Sequence, residues 1–134
     1  MPALHSFDYA IVRVVPRVER GEFINVGAII ICRAQRYLAA RIELDQQRLL
    51  ALAPDIDLDE LQSYLDVIPL VCAGGKEAGP IGKLSQGERF HWLVAPRSTI
   101  IQPSPVHSGL CSDPPAMLEH LLNTMVRPML GDRG

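Results

Sequence analysis

The densest group of chemically capable side chains runs from Arg97 to His107, where Arg97, Ser98, Thr99, Gln102, Ser104 and His107 surround Pro103 and Pro105. A guanidinium is a planar fork suited to phosphate or carboxylate, and hydroxyls add adjustable donors. If residues 97–102 form a strand, alternation places Arg97 and Thr99 on one face with Ile101. These types point to an anion site made by Arg97, Thr99, Ser104 and His107. The competing and favoured reading is a rigid Pro-rich loop whose polar groups bond nearby backbone and tie two elements together. Upstream, Arg13 stands between Val12 and Val14 in an apolar run, and Asn25 and Gly27 interrupt a second one. Strand interiors are depleted in Asn and Gly, and a Gly there marks a bulge or a close approach. Arg13, Asn25 and Arg97 would line one pocket if the last strand lay beside this hairpin. An ion pair of Arg13 with Glu22 accounts for the same Arg without a ligand.

Other reactive types are scattered. Cys32, Cys72 and Cys111 form no C-x-x-C pair, which argues against a zinc or redox site and for plain thiols. Cys111 falls in a predicted loop with only His107 near as a base, too little for a nucleophile. His5, His91, His107 and His120 lack any ligand spacing. Asp55, Asp57, Asp59 and Asp66 mimic a calcium loop, but Glu60 stands where the sharp turn needs Gly. Acidic residues at a helix start are the simpler account. With no phosphate-binding Gly-rich motif and no nucleophile elbow, no catalytic residue, metal or cofactor is expected, and the reading leans away from an enzyme.

The elements that would position these residues follow from periodicity. Apolar, β-branched-rich runs from Phe7 to Val15, from Phe23 to Cys32 and from Tyr37 to Leu44, joined by short polar links, predict an antiparallel meander. The first run is apolar on both faces. Asp45 can cap a short helix ended by Pro54, and Asp57 can cap a second one with Leu58, Leu61, Leu65 and Ile68 in a stripe. Pro69 should kink or end it, ahead of a flexible loop from Ala73 to Pro80. Ser85 and Glu88 suggest a capping box for a helix through Val94, although Phe90, Trp92 and Val94 also fit a strand. Arg97 to Gln102 predicts a strand stopped by Pro103 and Pro105. Asp113 and Pro114 open a last helix that carries Met117, Leu118, Leu121, Leu122, Met125 and Val126. Segregated strands and helices predict an α+β fold: a meander plus a later strand, packed against three to four helices in a two-layer sandwich.

The chain has 134 residues, 48% of them apolar and 21% charged, with a net charge of -2. This fits one domain over residues 1–134. The near-neutral charge argues against nucleic acid as a partner. No apolar run approaches the about 20 residues of a membrane span, and Met1 to Asp8 lacks the features of a secretory signal, so a cytoplasmic location is expected. The small total conceals asymmetry: residues 10–41 carry six Arg and two Glu, whereas residues 42–66 carry seven acids and one Arg. Such a layout suits docking of helices on the sheet, or charge-complementary pairing with another protein.

Arg13-Val14-Val15-Pro16 with Glu19 to Gly27, and Arg89 to Leu93 with Ala95 to Leu110, together resemble the signatures of a bacterial family, domain of unknown function 3037. The resemblance implies a stand-alone cytoplasmic domain, often encoded beside a kinase-like protein of the HipA type. The expectation is therefore a non-enzymatic interaction or regulatory module, acting with such a kinase or with a second copy of the chain. The alternative is a binding or enzymatic domain that uses the Arg97 to His107 segment on a phosphorylated or carboxylated ligand.

Overall fold

The first three strands are β1 (His5–Val14), β2 (Ile24–Cys32) and β3 (Tyr37–Ile42), joined as the expected antiparallel meander. β1 and β2 are apolar on both faces because both faces are covered. Val12, Val14, Ile29 and Ile31 enter one core, while Phe7, Ile11, Ala28, Ile30 and Cys32 enter another on the opposite side. The structure, a computed structural model, describes residues 3–128.

A β-bulge sets the phase of β2. Pairing with β1 steps from Val12 opposite Gly27 to Arg13 opposite Asn25, which leaves Val26 as the extra residue. Ile24 and Val26 consequently share the core of Ile29 and Ile31 despite the odd spacing between the two pairs. Gly27 is required beside the bulge: a Cβ there would lie 2.6 Å from both the Arg41 carbonyl oxygen and Ile42 Cδ1. The close approach inferred from this Gly is that of the β3 backbone.

Two short strands, β4 (Ile101–Pro103) and β5 (His107–Cys111), lie end to end along the free edge of β1. β4 pairs with Val12 to Val14, and β5 with His5 to Tyr9. Ser104 bridges the break between them. Its N–H donates to the Ile11 carbonyl at 2.8 Å, and its Oγ accepts from the Ile11 N–H at 2.8 Å.

Helices α1 (Gln46–Leu52), α2 (Leu58–Ala73) and α3 (Gln86–Val94) cover the first face through Leu49, Leu61, Leu65, Val71, Phe90 and Leu93. Asp45 and Asp57 cap α1 and α2 by accepting from Arg48 and Glu60 N–H, and Ser85 and Glu88 close a reciprocal capping box on α3. The strand alternative for residues 90–94 therefore falls. The second face is covered by α4 (Pro114–Leu121), capped by Asp113 and continued by a π-helical turn over Leu122–Val126. Arg127 anchors that end, donating to both oxygens of Glu43 at 2.7 and 2.6 Å and to Glu119, which Arg41 also grips.

The α+β class and the meander are as expected, and several details differ. Helices lie on both faces, giving three layers rather than two, because β1 and β2 have no polar face to leave in water. Residues 97–100 are irregular, the later strand is split in two, and Cys111 sits buried in β5 rather than in a loop. Pro69 does not end α2, which continues to Ala73. Val71 and Cys72 are buried there, and the Arg89 guanidinium donates to their carbonyls at 2.9 and 2.6 Å. The expected flexible loop carries instead a kinked 3-10 segment over Lys76–Lys83.

Candidate functional site

Residues of α2, α3 and β4, with the segment before β4, line an open groove of about 360 Å³. Its floor is Val12, Ile29 and Leu93. Its walls are Tyr64, Val67 and Ile68 on one side, and Trp92 with Arg97 and Thr99 to Pro103 on the other. Tyr64 is 54% exposed, Val67 42% and Trp92 41%. Large side chains this open within one depression form an apolar patch of the kind that marks interaction surfaces.

The polar side chains of the groove are turned to its own backbone. Arg97 donates to the carbonyls of Trp92, Leu93 and Ala95 at 2.7, 3.0 and 3.3 Å, and its guanidinium carbon lies 5.0 Å from the Trp92 ring centroid. It thereby satisfies the open carbonyls at the C-terminus of α3, where a cation is also favoured by the helix dipole. The Thr99 hydroxyl donates to the Ile101 carbonyl at 3.0 Å, and the Gln102 amide to the Thr99 carbonyl at 2.8 Å. Arg97 also holds the Trp92 ring in place over the groove.

The six residues singled out from sequence separate into distinct places. Arg97 and Thr99 line the groove; Ser104 is buried at the strand break, its Oγ also donating to the Pro105 carbonyl at 2.9 Å. His107 is exposed on β5, with its ring 5.4 Å from that of Tyr9. Arg13 and Asn25 face each other across β1 and β2 on the α4 side of the sheet. None of Arg13, Asn25, Ser104 and His107 lines the groove. Arg13 does not pair with Glu22, whose carboxylate is taken by Arg20 at 2.6 Å. Arg13 instead stacks on Phe23, with its guanidinium carbon 4.3 Å from the ring centroid.

The charged surroundings are one-sided. Residues 49–75 contain five acids and no Lys, Arg or His, so α2 and its approach are acidic, with Glu60 bonded to Tyr64 at the groove edge, while the charged residue that lines the groove itself is Arg97. Tyr64 donates its hydroxyl to Glu60 at 2.9 Å, and that carboxylate holds the phenol above its usual pKa. Burial pushes the Cys72 thiol up to about 12, partly opposed by the nearby Arg89 charge, and burial also raises Cys111, with Cys32 adding to the effect. Neither thiol is poised as a thiolate. Among the described residues, no group of three or more His, Cys, Asp or Glu could hold a metal ion, and no helix is long and apolar enough to cross a membrane.

Tyr64, Val67 and Trp92 did not stand out as site residues in the sequence. The available signal was Tyr64, Val67 and Leu70 recurring at spacing three beside the buried stripe of α2, which widens its apolar arc past what one packed face needs.

No curated protein and no solved structure matches the chain. The family described as "Protein of unknown function (DUF3037)" matches residues 9–126. That span takes in the meander except the first residues of β1, the groove-forming helices, β4 and β5, and all of α4 with its π-helical turn, and the chain belongs to this family.

Proposed function

We propose that the protein is a non-enzymatic interaction module, and that the groove between α2, α3 and β4 receives a segment of a partner protein. The observation that carries this is Tyr64, Val67 and Trp92 standing exposed around one apolar depression whose polar side chains already bond backbone carbonyls. Small-molecule sites orient their ligand with a few free, convergent polar groups. A groove without them suits an apolar or aromatic anchor, the kind of residue that dominates protein interfaces. The acidic residues of α2 and its approach select a partner segment in which that anchor is flanked by Lys or Arg.

The HipA-type kinase implied by the family resemblance is the first partner to examine. Trp92 is the sole Trp of the chain, so its fluorescence reports groove occupancy directly. Titration with the purified kinase should shift that emission to saturation, more weakly as salt rises. Val67→Asp, at an exposed position on α2, should preserve the fold and weaken binding at least about tenfold, the cost of burying one unpaired charge. Binding that is absent, or that is unaffected by Val67→Asp, refutes the proposal.

A further inference from the structure

β4 ends the sheet on one side, and Ile101, Gln102 and Pro103 all line the groove, so the outer edge of this strand borders it. The register fixes which backbone groups that edge presents. Ser104 N–H donates to the Ile11 carbonyl at 2.8 Å, and Val15 N–H to the Ile100 carbonyl at 2.6 Å. Residues 100 and 104 therefore turn backbone groups toward β1, as does Gln102 opposite Arg13, and the alternate residues Ile101 and Pro103 turn theirs outward. Among the described residues the Ile101 N–H has no acceptor. The Ile101 carbonyl accepts the Thr99 hydroxyl at 3.0 Å and has a second lone pair free, while Pro103 offers a carbonyl and no N–H. All three residues are half-buried, so the edge is reachable.

Whatever fills the groove takes solvent from this edge, and a buried N–H without an acceptor is costly. A helix laid there has already used its own carbonyls and leaves the Ile101 N–H orphaned. An extended chain brings a carbonyl to that N–H, and N–H groups to the carbonyls of Ile101 and Pro103. We infer that the groove's occupant is an extended segment of the partner protein that adds a sixth strand to the sheet along β4. This rests on the groove being a partner site and specifies the backbone form that the site accepts. Main-chain bonds to Ile101 and Pro103 hold the segment, and its side chains carry the specificity. Every second one lies on the face of Ile101, which packs with Val12 and Val14, and so turns toward the side of Tyr64 and Trp92. The side chains between them lie on the face of Gln102. The recognised sequence therefore alternates apolar and polar residues over a short stretch, because Pro103 has no donor with which to extend the ladder.

The test uses the 15N-labelled full chain and the capped hexapeptide acetyl-Lys-Leu-Thr-Leu-Thr-Lys-amide, whose leucines share one face of a strand. Titration should move the Ile101 amide and Trp92 indole N–H signals together to saturation, and amide exchange at Ile101 should slow at least about tenfold in the complex. The peptide is then N-methylated at both leucines or at both threonines, which removes N–H groups from one edge and leaves every side chain in place. One pattern should weaken binding at least about tenfold and the other should be tolerated. Loss on the leucines marks an antiparallel added strand, and loss on the threonines a parallel one. Equal binding by both methylated peptides and the parent overturns strand addition; Val67→Asp then tells whether the groove reading stands. Absence of saturable movement at Ile101 overturns strand addition as well, while the groove reading is decided separately by the kinase titration. An Ile101 amide protected in the chain alone, and increasingly so as the chain is concentrated, overturns it too, because the edge then belongs to a second copy.

Discussion

Ser104→Ala separates a structural hydroxyl from a ligand-binding one. The Ile11 N–H points from β1 to the break between β4, which ends at Pro103, and β5, which starts at His107, so no carbonyl of a paired strand residue accepts it on that side. Ser104 Oγ accepts that N–H at 2.8 Å, between residues only 5% and 4% exposed. Removing the oxygen leaves a buried donor that water cannot reach, at a cost of about 1–3 kcal/mol. The second bond of Ser104, to the carbonyl of exposed Pro105, is replaceable by solvent and adds little. A loss near 2 kcal/mol is expected, equivalent to a fall of about 7 °C in Tm for a chain of this length. Urea unfolding with an unchanged m-value would measure it, and amide exchange should accelerate at Ile11 more than at its neighbours. Thr99→Ala removes only a bond at an exposed hydroxyl, and should stay within about 0.5 kcal/mol of wild type. If Ser104→Ala were equally mild, the hydroxyl would not be holding the strand break, and the reasoning would fail.

Gly27→Ala should cost about 3 kcal/mol or prevent folding, since the new Cβ meets the β3 backbone at 2.6 Å. Gly109→Ala meets Phe7 ring carbons at 2.9 Å, which can rotate away, so chemical denaturation should show a loss of only about 1 kcal/mol. Glu43 is held below its usual 4.5 first by hydrogen bonds from Arg127, and Glu119 by those from Arg127 and then Arg41. A depressed carboxylate stabilises the fold above its unfolded pKa and loses that contribution as pH falls through the lowered folded value. Thermal melts should therefore fall as pH drops below 4.5, less steeply in Glu43→Gln than in wild type; parallel profiles would remove the Arg127 network from the account of acid stability.

Much of this architecture is written in local signals. The meander follows from β-branched runs with short links, and the starts of α1, α2, α3 and α4 follow from Asp45, Asp57, Ser85 and Asp113, each of which accepts from a backbone N–H of its helix. What escaped sequence reading depends on distant partners. β5 contains Ser108 and Gly109 and little that favours a strand; it exists because the edge of β1, about a hundred residues earlier, needs a neighbour. Pro103 is tolerated in β4 because the strand lies at an edge and need not donate outward. Arg97 bonds backbone, as the Pro-rich-loop reading has the polar groups of its segment do, but its acceptors are carbonyls at the end of α3, which become available only once residues 90–94 are helical. The third layer was implied by a first strand apolar on both faces, since such a strand must be covered twice.

The bulge at Val26 links the two faces. Regular alternation back from Ile31 and Ile29 would carry Gly27 and then Asn25 to the side of α1–α3, placing an amide in an apolar core. The extra residue reverses the phase, so that Ile24 and Val26 complete that core and Asn25 emerges on the other side, opposite Arg13. One inserted residue thus does two things. It keeps the floor beneath the groove apolar, and it creates the polar pair that meets the end of α4 through the Met125 carbonyl. Gly27 makes this arrangement possible by admitting the Arg41 carbonyl where no side chain fits. The same Asn and Gly that look misplaced in a strand are the residues that allow one sheet to carry an apolar groove on one face and a polar pair on the other.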